Sequence, residues 1–140
     1  MNLKNIINYN GLVAISIGVV YLWFGTLKDF PDVSPAEDLA KQTMDTLFFS
    51  LIPSKISMLL LATWEILVGL LLIINVGRKL VVKIALLHMA LTFTPLFFFP
   101  AQTFENAPFE LTLLGQYILK NVIIVAALLS LYPQSQNASV

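Results

Sequence analysis

Three ionisable side chains sit near the middle of long, mainly apolar stretches. Glu65 lies in SKISMLLLATWEILVGLLLI, His88 in LVVKIALLHMALTFTPLFFF and Lys120 in LGQYILKNVIIVAALLSLYP. A carboxylate, an imidazole and an ammonium are the groups that pair as ions, pass protons and donate hydrogen bonds to carbonyl or anionic ligands. At the centre of a bilayer an ionised side chain costs about 2.5–3.5 kcal/mol even on the lenient insertion scale. Facing each other inside a bundle, Glu65 and Lys120 can instead form a hydrogen-bonded ion pair, with Gln116 one turn outward and Asn121 adjacent. His88 and Thr92, four residues apart, share a helical face. Trp64 and Tyr117 lie beside them, and Lys28 stands at the end of the first apolar stretch.

The elements that must hold these residues are membrane spans. A span needs about 20 mainly apolar residues, and four segments qualify: 6–27, 56–74, 80–99 and 111–132. Pro31 and Pro35, then Asn75-Val76-Gly77, then Pro100 punctuate the boundaries, and a polar tail occupies 134–140. The first apolar run continues into FGTLKDFP without a small-residue cleavage site, so it reads as a span and not as a cleaved leader. The fold class expected is therefore all-α, a single four-span bundle over 1–133. In the linker, Ser34-Pro35-Ala36-Glu37 has the makings of a capping box. Ala36, Leu39, Thr43, Leu47 and Leu51 then recur at helical spacing opposite Glu37, Asp38, Lys41 and Asp45. That pattern predicts a short amphipathic helix over about 35–51, on the membrane surface or capping the bundle.

Depth brings the ionisable residues together. Counted from the span ends beside the 28–55 linker and the 100–110 loop, Glu65 and Lys120 are nine residues inward and His88 eleven. At 1.5 Å per residue these are depths of roughly 13–17 Å in a hydrocarbon core about 30 Å thick. Gly11, Gly18 and Gly25 recur every seven residues on the first span, giving a smooth face that Tyr21 and Lys28 share.

Composition bounds the chemistry. The chain is 58% hydrophobic and 11% charged with no net charge, and its mean hydropathy is +0.84. Soluble domains carry about 25% charged residues. Nothing in the charge pattern suits nucleic acid. The absence of cysteine excludes disulfides, thiol relays and thiolate-ligated metals, and a single histidine excludes a bis-histidine haem within one chain. No haem, iron–sulfur cluster or structural metal is expected. Lys4, Arg78, Lys79 and Lys83 against Lys28, Lys41 and Lys55 place both termini in the cytoplasm by the positive-inside rule.

The strings WFGxLK (23–28), WExxxG (64–69), HMxxTFTPL (88–96) and GQYIxKN (115–121) resemble the DoxX-like family of small four-helix membrane proteins, over roughly residues 10–130. The resemblance implies a four-span bundle whose characteristic polar positions fall on Lys28, Glu65, His88, Gln116, Lys120 and Asn121. It implies a bacterial inner-membrane setting and a role as a membrane partner in quinone-linked or oxidative-stress redox systems. Some relatives are discussed with thiol chemistry, and this cysteine-free chain departs from them there. The reading that results is a non-catalytic subunit, with a lipophilic ligand such as a quinone held by Lys28, Trp64, Glu65, His88, Thr92, Gln116, Tyr117, Lys120 and Asn121. Its expected partners are membrane lipid, a redox protein and further copies of itself. A small-solute or proton channel, or an assembly partner in which the ion pair only fixes the fold, remain alternatives.

Overall fold

The computed structural model describes residues 9–30, 33 and 36–132. Its elements run α1 (Tyr9–Leu27), α2 (Glu37–Leu47), α3 (Ser54–Ile73), α4 (Arg78–Thr92), α5 (Pro95–Phe98), α6 (Pro100–Thr103), β1 (Phe104–Asn106), β2 (Glu110–Leu111), α7 (Leu113–Leu119) and α8 (Asn121–Leu131). Four helical stretches of 18 to 21 residues, the last two formed by α4–α5 and α7–α8, are long and apolar enough to cross a membrane. The expected all-α four-helix bundle is thus the observed one, and the chain is an integral membrane protein.

The interior is one apolar stripe from each span: Ala14, Ile17 and Tyr21 from α1, Val68 and Leu72 from α3, Val81, Val82, Ala85 and Met89 from α4, and Leu128 and Leu131 from α8. The opposite faces are equally apolar but exposed, with Leu12, Val19, Leu59, Leu67, Leu80, Leu87 and Ile123 all more than half accessible. Outward apolar surface of this extent is what a lipid environment covers.

Local chemistry sets the element ends. Asn75 and Gly77 take the left-handed backbone (φ 58° and 60°) that turns α3 into α4, and these are residue types that adopt it at low cost. The predicted third span 80–99 is broken in two. Pro95 has no N–H to give and crowds the carbonyl four residues back, so α4 stops at Thr92 and α5 begins with Pro95 in its first turn. Thr112 caps α7, its Oγ1 accepting from the Gly115 N–H at 3.2 Å and donating to Gln102 O at 2.7 Å. The 100–110 loop contains the antiparallel β1–β2 pair, with Phe104 opposite Leu111.

α2 is shorter than the predicted 35–51, and Ser34 and Pro35 lie outside the described residues. It packs against α3 and α5, burying Leu39 and Thr43. The Asp45 carboxylate accepts from Ser54 Oγ at 2.9 and 3.0 Å, and Gln102 Nε2 donates to Gln42 Oε1 at 2.7 Å. Of the two sequence-based options for this helix, these contacts favour capping the bundle.

Candidate functional site

The closest pairing in the bundle is α1 on α3, and two glycines produce it. A Cβ on Gly18 would fall 2.7 Å from Gly69 O, and one on Gly69 would fall 2.7 Å from Gly18 O, so the backbones touch there. Seven residues along α1, a Cβ on Gly25 would meet Glu65 Cβ at 3.1 Å. The antiparallel register therefore delivers the last turn of α1, and Lys28 after it, to Glu65.

Lys28 Nζ donates to Glu65 Oε2 at 2.6 Å and to Phe24 O at 3.3 Å. Both charged side chains are only 9% accessible. The other carboxylate oxygen, Oε1, is 3.6 Å from His88 Nε2, long for a hydrogen bond but close for an electrostatic contact. His88 Nδ1 lies 3.2 Å from the Tyr21 hydroxyl, which is 3.4 Å from Ala85 O. The Tyr21 and His88 rings meet edge to face with centroids 5.5 Å apart. Lys28, Glu65, His88 and Tyr21 thus form one connected tetrad on three helices. Glu65 is eleven residues from the start of α3 and eight from its end, about 16 and 12 Å from the two ends.

The tetrad admits two proton arrangements. If Tyr21 donates its hydroxyl proton to His88 Nδ1, the ring carries its proton on Nε2 and presents it to the Glu65 carboxylate. If Tyr21 donates to Ala85 O, Nδ1 must be the donor to Tyr21. A neutral ring then turns a bare Nε2 toward Glu65, which is favourable only with a proton on Oε1. The second arrangement holds one proton more than the first, on Glu65 Oε1, so passing between them takes up or releases one proton, shifts the ring proton between Nε2 and Nδ1 and rotates one hydroxyl. That is the chemistry this geometry can perform.

The structure gathers Lys28, Glu65 and His88 from the sequence-predicted set and adds Tyr21, whose signal was its seven-residue spacing from Lys28 on the glycine face. It corrects the partner of Glu65, which is Lys28 and not Lys120. α8 packs on α4 and α1 while α3 packs chiefly on α1, so the fourth span is not the neighbour of Glu65. Within α7 the inward positions are Gly115 and Ile118. At about 100° per residue Lys120 points some 200° away from Ile118. Lys120 is exposed, with its ammonium 5.2 Å from the Tyr117 ring centroid, one turn back toward the α2 end.

Trp64, Gln116 and Tyr117 are likewise on outward faces. Gln116 Nε2 donates to Leu111 O at 3.3 Å. Thr92 does not join His88. Its hydroxyl donates to Met89 O at 2.7 Å and accepts from Asn121 Nδ2 at 3.2 Å, a separate polar tie between α4 and α8.

A direct consequence is that Lys120→Met should leave the tetrad intact. Its thermal midpoint in detergent is expected to stay within a few degrees of the wild type or rise, as for other substitutions that break no buried contact. A loss of about 10 °C or more would show that Lys120 holds a buried partner.

Among the described residues no group of three or more His, Asp or Glu side chains could hold a metal ion. No family model, curated protein or solved structure matches the chain.

Proposed function

We propose that the protein is an accessory subunit of a membrane redox system that holds a quinone, or a similar lipophilic carbonyl compound, against the Lys28–Glu65–His88–Tyr21 tetrad. The observation that carries this reading is four protic side chains linked to one another at mid-span within an apolar bundle. Ionisable residues in such a position are costly and mark function by default. A bound quinone supplies two-electron, two-proton redox chemistry. The protein must then provide hydrogen-bond donors for a carbonyl oxygen and a group able to give or take a proton in a dry site. The Lys28 ammonium and the Tyr21 hydroxyl are such donors, and the Glu65–His88 pair is such a proton-exchanging group.

The electrons come from a partner protein, since the chain has no cysteine and one histidine with which to bind a redox centre of its own. Resemblance of the WFGxLK, WExxxG and HMxxTFTPL strings to DoxX-like proteins supports this setting in a bacterial inner membrane. The Arg78-Lys79 turn supports cytoplasmic termini.

Titrating a short-chain benzoquinone into the protein in nanodiscs, read by quenching of Trp23 and Trp64, tests the reading. Saturable quenching is expected, weakened about tenfold in His88→Leu, the loss of one good buried polar contact. Quenching that only follows partition into lipid, equal in both proteins, would overturn it. The other reading with an observation behind it is structural. Each member of the tetrad has a partner within the group, and the Lys28–Glu65 pair sits on the same α1–α3 seam as the glycine contact. On that view the pair is a clasp for the first and second spans.

A further inference from the structure

Charge is segregated along the bundle. Every acid except Glu65 lies between Asp29 and Asp45 or between Glu105 and Glu110, in the segments that join the spans at the α2 end. The opposite end, where α3 turns into α4, carries Arg78, Lys79 and Lys83, and its described segments contain no acid. Arg78 Nε is buried without a hydrogen-bond partner. Lys79 and Lys83 are both exposed, and Lys83 Nζ is 6.0 Å from the Tyr132 ring centroid. Three cations thus share one end of one helix, and no acid among the described residues lies there to answer them.

The surface beside them is apolar. Ile74, Val76 and Leu80 are 59%, 54% and 64% exposed in the same turn, and Leu87 and Leu91 are 62% and 41% exposed further along α4. Lys79, Lys83, Leu87 and Leu91 follow one another at intervals of four, and Leu80 and Leu87 are seven apart, so they share one face of α4. From Lys83 to Leu91 that face runs about 12 Å. A cationic head above an apolar track along a membrane helix has the shape and charge of one lipid.

We propose that this face of α4 is a binding site for an anionic phospholipid. The phosphate sits among Arg78, Lys79 and Lys83, with an acyl chain along Leu80, Leu87 and Leu91. The site is independent of the tetrad, and it fits a lipid better than a soluble anion because the cations adjoin exposed leucines. Lipid charge in that leaflet would then tune how firmly the turn between α3 and α4 is held.

Native mass spectrometry of the whole protein, with phosphatidylglycerol and phosphatidylcholine of matched chains added in equal amounts, tests the proposal. Preferential retention of phosphatidylglycerol is expected. Each of Arg78→Gln, Lys79→Gln and Lys83→Gln should weaken it about fivefold, the effect of one cation near a charged membrane surface, and the triple variant should abolish the preference. Lys79→Arg should keep it. Equal retention of the two lipids, or a preference that survives the triple variant, would overturn the site. Displacement of the lipid by millimolar inorganic phosphate would overturn the lipid assignment. Should the triple variant fail to fold, Lys79→Gln, at an exposed position, gives the reading alone.

Discussion

Lys28→Met is expected to cost about 3–5 kcal/mol of stability, the range for removing one partner of a buried ion pair. Glu65 would keep its buried position, 7% accessible, with no cation against Oε2. For a chain of this length that is a fall of roughly 10 °C in thermal midpoint, measurable in detergent by the fluorescence of Trp23 and Trp64. The paired change Lys28→Met with Glu65→Gln should recover most of the loss. Replacing a whole buried ion pair is often neutral, since desolvation offsets most of the attraction. A single variant as stable as the wild type would show that the 2.6 Å contact does not exist in the membrane-embedded protein. Lys120→Met has the opposite expectation, so the two lysines together discriminate between alternative partners for Glu65.

Gly69→Val should be strongly damaging. Its Cβ would meet Gly18 O at 2.7 Å and Leu22 side-chain and backbone atoms at 3.0 Å. Backbone cannot rotate aside as a side chain can, so α1 and α3 must separate. The expected cost is about 3 kcal/mol, the upper end for overpacking, and separation also draws Lys28 away from Glu65. The fall in thermal midpoint in detergent is the measurement, and a Gly69→Val protein as stable as the wild type would mean that the two backbones are not in contact. Gly77 is the contrast. A Cβ there meets nothing within 4 Å, and only its left-handed backbone restricts it.

How much of this was legible in the sequence follows from which physics is local. Hydropathy and helical spacing are local, so the four spans, the amphipathic α2 and the glycine face could be read directly. Depth is nearly local too, and counting residues from the span ends brought Glu65 and His88 to one level. Rotation about the helix axis and the order of helices around the bundle are not local. Glu65 and Lys120 share a depth but not a direction, and nothing in either segment says that α1, rather than the fourth span, lies against Glu65.

The phase of Lys120 was partly available, since Gly115 and Ile118 mark the inward line on α7 and Lys120 is two residues beyond it. Lys28 stands at the end of α1, one turn past the Gly25–Glu65 contact. Its long, flexible side chain reaches Glu65. Pro95 signalled the break between α4 and α5, which an unbroken span over 80–99 overrode. Strands of three and two residues at 104–111 are too short to show a period, and the hairpin left no signal.

The most direct measurement is quinone occupancy in the Lys28→Met, Glu65→Gln protein, purified gently from its own membrane and examined by native mass spectrometry with quinone extraction. The stability comparison above establishes whether this variant is folded, which separates a lost clasp from a lost site. If the tetrad is a ligand site, the folded variant loses the quinone that the wild type carries. A folded variant that carries as much quinone as the wild type, or a wild type that carries none, would contradict it and leave the tetrad as the clasp between the first two spans.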